Sequence, residues 1–278
     1  MRLFAISDLH LASAPNQQAL EDLPAYPEDW LIVAGDVAEK FETLDWAFGL
    51  LTFKFARVLW VPGNHELWAI AGREPPEPKG VARYHKLVEI ARRYGIVTPE
   101  DPFVRWPGPL PQDLGTADQL ILAPLFLLYD YSFRPAHISL DDVVSWAEET
   151  HNVCSDELLL SPDPHDSRIA WCRERLKLTD ARLSAEVPEN AATVLINHWP
   201  FRHDLVRIPR VPRFTPWCGT TATKQWHVRH RAYSAISGHL HTRRTDVIDG
   251  TRFEEVSLGY PRQWDQSRGM ASYLRRIL

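Results

Sequence analysis

Five short polar motifs, each following an apolar run, are spread over this 278-residue chain. They are Asp8-Leu9-His10, Gly35-Asp36, Gly63-Asn64-His65-Glu66, Asn197-His198 and Gly238-His239-Leu240-His241. Together they carry three carboxylates, two carboxamides and five imidazoles, far more donors than loops need. Oxygen and imidazole donors with no thiolate among them suit hydrolytic divalent metals such as Mn, Fe, Zn or Ni. The donors outnumber what one ion takes, so the expectation is a site for two divalent metal ions. Asp8 and His10 lie two apart at the end of an expected strand, where a period of two puts both side chains on one face. The same logic aims His239 and His241 together. Asp36 follows Gly35, which lets the backbone turn and bring the carboxylate close to an ion. A carboxylate has two oxygens and can bridge two cations.

In order and content these motifs resemble those of the calcineurin-like metallophosphoesterases, which read Asp-x-His, Gly-Asp, Gly-Asn-His-(Asp/Glu), His and Gly-His-x-His. Every one of those elements occurs here in that order, from Asp8 to His241. The resemblance implies that Asp8, His10, Asp36 and His241 hold one metal, and that Asp36, Asn64, His198 and His239 hold the other. It implies metal-dependent hydrolysis of a small phosphate ester. Two divalent ions can lower the pKa of a bound water to about 7, giving a metal-bridging hydroxide as nucleophile. They also neutralise the charge that builds on the phosphoryl oxygens. By resemblance His65, not needed as a ligand, is the catalytic residue that protonates the leaving-group oxygen or stabilises its charge. Glu66 has two readings, a carboxylate that orients His65 or a ligand, and a plain surface acid.

Outside the motifs the signals are weaker. The stretch 200–213 follows His198 and contains Arg202, Arg207, Arg210 and Arg213. Arg202 and Arg207 are candidates to grip a second phosphate or an anionic substrate, set against a solvated, proline-stiffened loop. Tyr129, in Tyr129-Asp130-Tyr131, and Trp217 are candidates to stack on a substrate ring, set against core packing. His85, His137, His151, His165, His203, His227 and His230 are read as surface or hydrogen-bonded side chains.

Something must bring the motifs together from both ends of the chain, and the apolar runs before them supply it. Residues 3–7, 30–34, 57–61, 193–196 and 233–237 read as buried strands covered on both faces. Residues 41–55 and 81–94 have helical apolar spacing, and Gly95 supplies a stop. Strand and helix alternate, which implies an α/β arrangement with the functional loops beyond the strands' carboxyl ends. Runs at 120–128, 245–248 and 252–258 add strands, the last two joined by the hairpin signal Asp249-Gly250. The family resemblance implies a four-layer α/β/β/α sandwich of two mixed β-sheets flanked by helices, and one domain over 1–278 is expected. Residues 73–80 read as an exposed proline-rich loop. Residues 138–185 hold two amphipathic helical patterns and no motif. They are expected to form a cap over or beside the metal cleft, the alternative being a cover on the outer face of a sheet.

Composition narrows the function. The net charge of −5 argues against broad nucleic-acid binding. Of the 31 basic residues 25 are arginine, which favours guanidinium forks for any phosphate recognition. Three cysteines without metal-type spacing read as reduced thiols. No signal peptide or membrane-length apolar stretch is seen, so a cytoplasmic protein is expected. Two other functions compete with hydrolysis of a small ester. A nuclease of the same family would want a basic groove. A non-catalytic protein-binding scaffold of the same fold would be expected to have lost ligands, and none is missing.

Overall fold

Two β-sheets pack face to face in the computed structural model, which describes residues 1–69 and 77–278. The first runs in the order β10-β1-β2-β3. Its strands β1 (Leu3–Ile6), β2 (Tyr26–Val33) and β3 (Phe55–Trp60) are parallel, and β10 (Arg275–Arg276) lies antiparallel to β1. The second runs in the order β4-β5-β6-β7-β9-β8. Here β5 (Gln119–Pro124), β6 (Ala191–Ile196), β7 (Ala232–Ser237) and β9 (Thr251–Glu255) are parallel. The edge strands β4 (Val104–Arg105) and β8 (Arg244–Ile248) are antiparallel.

The parallel strands are apolar on both faces because both faces are covered. In β1, Leu3 and Ala5 point into the layer between the sheets, with Ile32, Leu59, Leu122, Val194 and Ile236. Phe4 and Ile6 point the other way, toward the helices α2 (Phe41–Lys54) and α4 (Gly80–Arg93). Leu44, Ala47, Phe48 and Leu51 of α2, and Tyr84, Leu87, Val88 and Ala91 of α4, form stripes at helical spacing that meet this face. On the far side, α7 (Arg168–Glu186) and α8 (Trp226–Arg229) cover the second sheet through Leu183 and Trp226. The layers are thus helix, sheet, sheet, helix, the four-layer sandwich expected. Smaller helices are α1 (Ala14–Glu21), α3 (Asn64–Leu67), α5 (Val143–Glu148) and α6 (Asp156–Leu159).

Some expected boundaries move. The run 120–128 is strand only as far as Pro124. Beyond it the chain leaves the ladder, and Leu127 N–H donates to the Asn197 side chain at 3.0 Å. That side chain also donates to Trp199 O, so Asn197 pins two loops. Asp249 and Gly250 both have positive φ, 52° and 80°, and turn β8 into β9. The short β10 has no periodicity to betray it. Part of the loop expected at 73–80 lies outside the described residues. The 138–185 segment divides its work: α7 packs Trp171 and Cys172 beside Phe126 and closes an outer face, while α6 reaches toward the motifs. Among the described residues no helix is long and apolar enough to cross a membrane.

Candidate metal centre

All five motifs lie beyond the carboxyl ends of parallel strands, the edge where such sheets place their ligands. Asp8 and His10 follow β1, Asp36 follows β2, and Asn64 and His65 open α3 after β3. His198 follows β6, and His239 and His241 follow β7. The two sheets join at this edge through a bridge between Ser7 and Ser257. Ser7 N–H donates to Val256 O at 3.1 Å, and Leu258 N–H donates back to Ser7 O at 2.8 Å.

The reason the side chains converge differs from the period-two argument. β1 has ended at Ile6 and β7 at Ser237, and the donors sit in left-handed turns. Asp8 (φ 54°), His10 (43°), Asp36 (54°), His239 (72°) and His241 (52°) all have positive φ. Non-glycine residues are rarely held there, and such strain gathers at functional sites. Two glycines make room. A Cβ on Gly63 would lie 2.1 Å from Asp36 Oδ1, and one on Gly238 would lie 2.4 Å from Asp8 Oδ2.

Six candidate ligands, Asp8, His10, Asp36, His198, His239 and His241, meet with His65 in one cluster, and Asn64 precedes His65 at the start of α3. His241 Nε2 lies 3.0 Å from Asp8 Oδ1 and 3.1 Å from His10 Nε2. His198 Nε2 lies 3.4 Å from Asp36 Oδ2, and His65 Nε2 lies 3.8 Å from the same oxygen. Three sets have donor atoms within 4.8 Å of one another: Asp8, His10 and His241; His10, Asp36 and His65; and Asp36, His198 and His239. Asp36 belongs to two of them, as a bridging carboxylate would. His10 Nδ1, Asn64 Oδ1, His198 Nε2 and His239 Nε2 are buried with no hydrogen-bond partner among the described residues. A buried polar atom left unpaired is destabilising by about 1–3 kcal/mol. Three of them, Asn64 Oδ1, His198 Nε2 and His239 Nε2, are atoms that divalent cations accept and fit a metal centre, whereas His10 turns its other nitrogen, Nε2, toward His241 and Asp8.

The electrostatics divide the donors: burial opposes both, yet Asp36 raises His198 to about 10 and Asp8 raises His241 to about 9, so these two imidazoles carry positive charge beside the carboxylates. Burial pushes the Asp36 carboxyl up, but the charges of His198 and His65 outweigh it and hold the group well below the carboxylate range. Burial likewise opposes Asp8, and His241 wins. His10 and His239 are pulled down by burial to about 4 and about 3, so both are neutral donors at pH 7. Burial lowers His65 too, yet Asp36 and the Glu39 hydrogen bond raise it above its ordinary value.

Around the cluster stand residues that carried no sequence signal or an open one. Glu66 is fully buried and accepts from Gly63 N (2.9 Å), Asp36 N (3.0 Å) and Val37 N (2.6 Å). It staples two motif loops together, which settles its two readings against a surface acid. Burial, with the nearby charge of Asp36, pushes its carboxyl up to about 7. Glu39 lies 2.7 Å from His65 Nδ1, and Gln263 Oε1 lies 2.7 Å from His241 Nδ1. Ala34 O lies 2.8 Å from His198 Nδ1. Acceptors on Nδ1 fix these rings with Nε2 inward. Trp68 lies against His65 with ring centroids 3.7 Å apart, and Tyr260 stacks on His10 at 4.1 Å. Arg83, fully buried, donates to Glu66 O and Glu39 O. Glu39, three residues after Asp36, was findable by proximity; Gln263 and Tyr260 sit in a tail without periodicity.

The three candidate substrate contacts fare differently. Arg202 is buried, its fork closed on Asp204 (2.9 and 2.6 Å), with Lys224 O at 3.1 Å. Arg207 is exposed and lies 3.4 Å from Asp246. Tyr129 is fully buried in the core against Tyr131 and Trp199. Arg202 and Tyr129 are therefore corrected to structural positions: a paired guanidinium and a buried ring present no surface to a ligand. Trp217 is likewise buried, its Nε1–H donating to Glu157 at 2.8 Å. His227 and His230 pair with Asp249 and Asp180, each at 3.0 Å. His85, His137, His151 and His203 are exposed, and His165 is half-buried, 3.7 Å from Glu174.

Comparison with known proteins identifies a family and a fold. The family profile described as calcineurin-like phosphoesterase matches residues 1–243. A Mycobacterium tuberculosis (strain H37Rv) protein named acyl-carrier-protein phosphodiesterase PptH is 46% identical over 278 residues, which span 99% of this chain and 83% of that protein. The crystal structure of the phosphopantetheinyl hydrolase PptH from the same organism superposes with a TM-score of 0.91 at 46% identity, covering 100% of this chain and 95% of that one.

Proposed function

This chain belongs to the calcineurin-like phosphoesterase family, and on that premise we propose that it cleaves phosphopantetheine from a carrier protein by hydrolysing the phosphodiester between them. It is a hydrolase, a metal-dependent phosphoesterase. The observation that carries the substrate is the 46% identity to acyl-carrier-protein phosphodiesterase PptH over nearly the whole chain. The phosphorylated group is small, as the sequence suggested, but it is borne on a protein.

Asp8, His10, Asp36 and His241 would hold one divalent ion, and Asp36, Asn64, His198 and His239 the other. Mn, Fe, Zn and Ni all suit this donor set. When bound, such ions supply Lewis acidity toward the phosphoryl oxygens and acidify water. The remaining work falls to the chain's own groups. Glu39, 2.7 Å from His65 Nδ1, holds that ring with Nε2 toward the cluster. As water adds to phosphorus and the bond to the leaving oxygen breaks, His65 Nε2 delivers its proton to that oxygen, and the proton that the water sheds passes to solvent, from which His65 is reprotonated. Trp68 and Tyr260, lying on His65 and His10, limit how those rings can turn. Three free, buried cysteines suit a reducing, cytoplasmic setting.

The test is direct. Phosphopantetheine-bearing acyl carrier protein is incubated with the enzyme and Mn2+ and followed by intact-protein mass spectrometry. The expected result is conversion to the unmodified carrier, with the phosphorylated arm in solution. Rapid turnover of bis-p-nitrophenyl phosphate beside an untouched carrier protein would assign the enzyme to another diester.

A further inference from the structure

One buried carboxylate from the 138–185 segment reaches the cluster, although the segment carries none of the motifs. Asp156, at the start of α6, has no exposure to solvent. Its Oδ1 accepts from Asn64 Nδ2 at 3.0 Å and from Trp68 Nε1 at 2.6 Å. Asn64 supplies the only carboxamide among the seven candidate ligands, and an amide has two ends. Only its oxygen can bind a cation, and only its nitrogen can donate to a carboxylate. Asp156 therefore decides which end faces inward, because a flipped amide would set two acceptors against each other. The consequence is visible: Asn64 Oδ1 is buried and without a partner among the described residues.

The same oxygen holds the indole of Trp68, whose ring lies on His65. Asp156 is itself held stiffly. Arg168 Nη1 donates to Asp156 O at 3.1 Å and to Leu160 O at 3.0 Å. The Arg168 guanidinium also pairs with Glu157, whose carboxylate accepts from Tyr131 Oη and Trp217 Nε1. Ala69 N–H, next to Trp68, donates to Leu159 O at 2.9 Å. The α6 turn is thus braced from several sides, as a group that must orient a ligand requires.

We propose that Asp156 is a positioning residue for the metal centre, fixing the Asn64 amide with its oxygen inward and seating Trp68 against His65. This rests on the reading of Asn64 as a ligand. The test measures Mn2+ affinity of the metal-free full chain by calorimetry for wild type, Asn64→Ala, Asp156→Ala and the double variant. Asp156→Ala is expected to weaken one of two Mn2+ equivalents by roughly 10- to 100-fold and leave the other in place. The double variant should be little worse than Asn64→Ala alone, since both act through one ligand. Additive losses, or two unchanged equivalents in Asp156→Ala, overturn the proposal while Asn64→Ala still weakens one site. An Asn64→Ala protein with full Mn2+ affinity overturns the ligand reading instead, and the proposal with it. Loss of both equivalents together with a lowered melting temperature of the metal-free protein assigns Asp156 a purely structural role. If Asp156→Ala does not fold, Asp156→Asn carries the same cycle with a smaller expected loss. It keeps an acceptor but permits the Asn64 flip, so wild-type affinity in that variant also overturns the proposal.

Discussion

At Asp36 one carboxylate stands between two sets of donors, 3.4 Å from His198 and 3.8 Å from His65, and its Oδ1 accepts from His65 N at 3.0 Å. Asp36→Asn should therefore lower the content of both metals at once, by metal analysis of the purified protein; two full equivalents would remove the bridge. His65 stands apart from the ligands in its expected signature. His65→Asn should keep its metals and turn over roughly 100-fold slower or worse, the usual contribution of a positioned acid. The deficit should be greatest for esters with poor leaving groups, and equal slowing of activated and unactivated esters would indicate phosphoryl positioning instead. The glycines offer a steric test of the same site. Gly63→Ala puts a Cβ 2.1 Å from Asp36 Oδ1 and should abolish metal binding. Gly95→Ala meets nothing within 4 Å and carries only its φ of 68°, a strain of about 1–2 kcal/mol. A Gly63→Ala protein with full metal content would show that the Asp36 loop yields where it is drawn as rigid.

Elements position these residues, and the less visible ones do so through single anchors. α7 is fastened by Arg175, which lies 2.8 Å from Glu100 and over the rings of Tyr84 and Phe126. Burial pushes the Glu100 carboxyl up, but Arg175 outweighs it and the folded pKa is depressed. A depressed carboxylate stabilises the fold above its unfolded pKa and loses that contribution as pH falls through the folded value. Glu100→Gln should thus melt a few degrees lower at pH 7, with the gap closing in acid. A gap that stays constant to pH 3 would show that the pair contributes through shape alone. The sequence was legible where an element repeats a period: β1, β6, α2 and α4 announce themselves by apolar spacing, and the motifs by their donors. It was opaque where placement depends on a distant partner. Asp156 meets Asn64 across 92 residues of chain, and β10 is a strand only because β1 is beside it. The left-handed turns at Asp8 and His241 were hidden too, since nothing local marks a non-glycine residue for positive φ. Arg202 is one of four arginines in a stretch without periodicity, and nothing local singles out Asp204 as the partner that closes its fork. The helical patterns of 138–185 allow either a cap or a cover on a sheet's outer face, and α7 takes the second course, burying Trp171, Cys172 and Leu183. Replacing the whole segment by a linker should therefore unfold the protein rather than widen its substrate range.

On the scale of the molecule, the metal centre depends on the two sheets staying in register at one edge, and the last described residues help to hold it. β10 covers the outer edge of β1, the strand that delivers Asp8 and His10. Ile277 N–H donates to Leu3 O at 2.8 Å, and Arg252 Nη2 from β9 donates to Ile277 O at 2.9 Å, so this segment ties the first sheet to the second. Ile277 is buried in the layer between the sheets. Removing residues 275–278 takes away that side chain, worth about 2–3 kcal/mol when buried, and leaves β1 as an open edge. A truncation ending at Leu274 should melt roughly 5 °C lower or more, and its metals should loosen as β1 shifts against β9 at the Ser7–Ser257 bridge. Melting curves and Mn2+ titrations on the same preparation separate the two effects. A truncated chain that melts early but binds Mn2+ as tightly as the full one would mean that the bridge and the hydrogen bonds around Asp8 hold the site without β10.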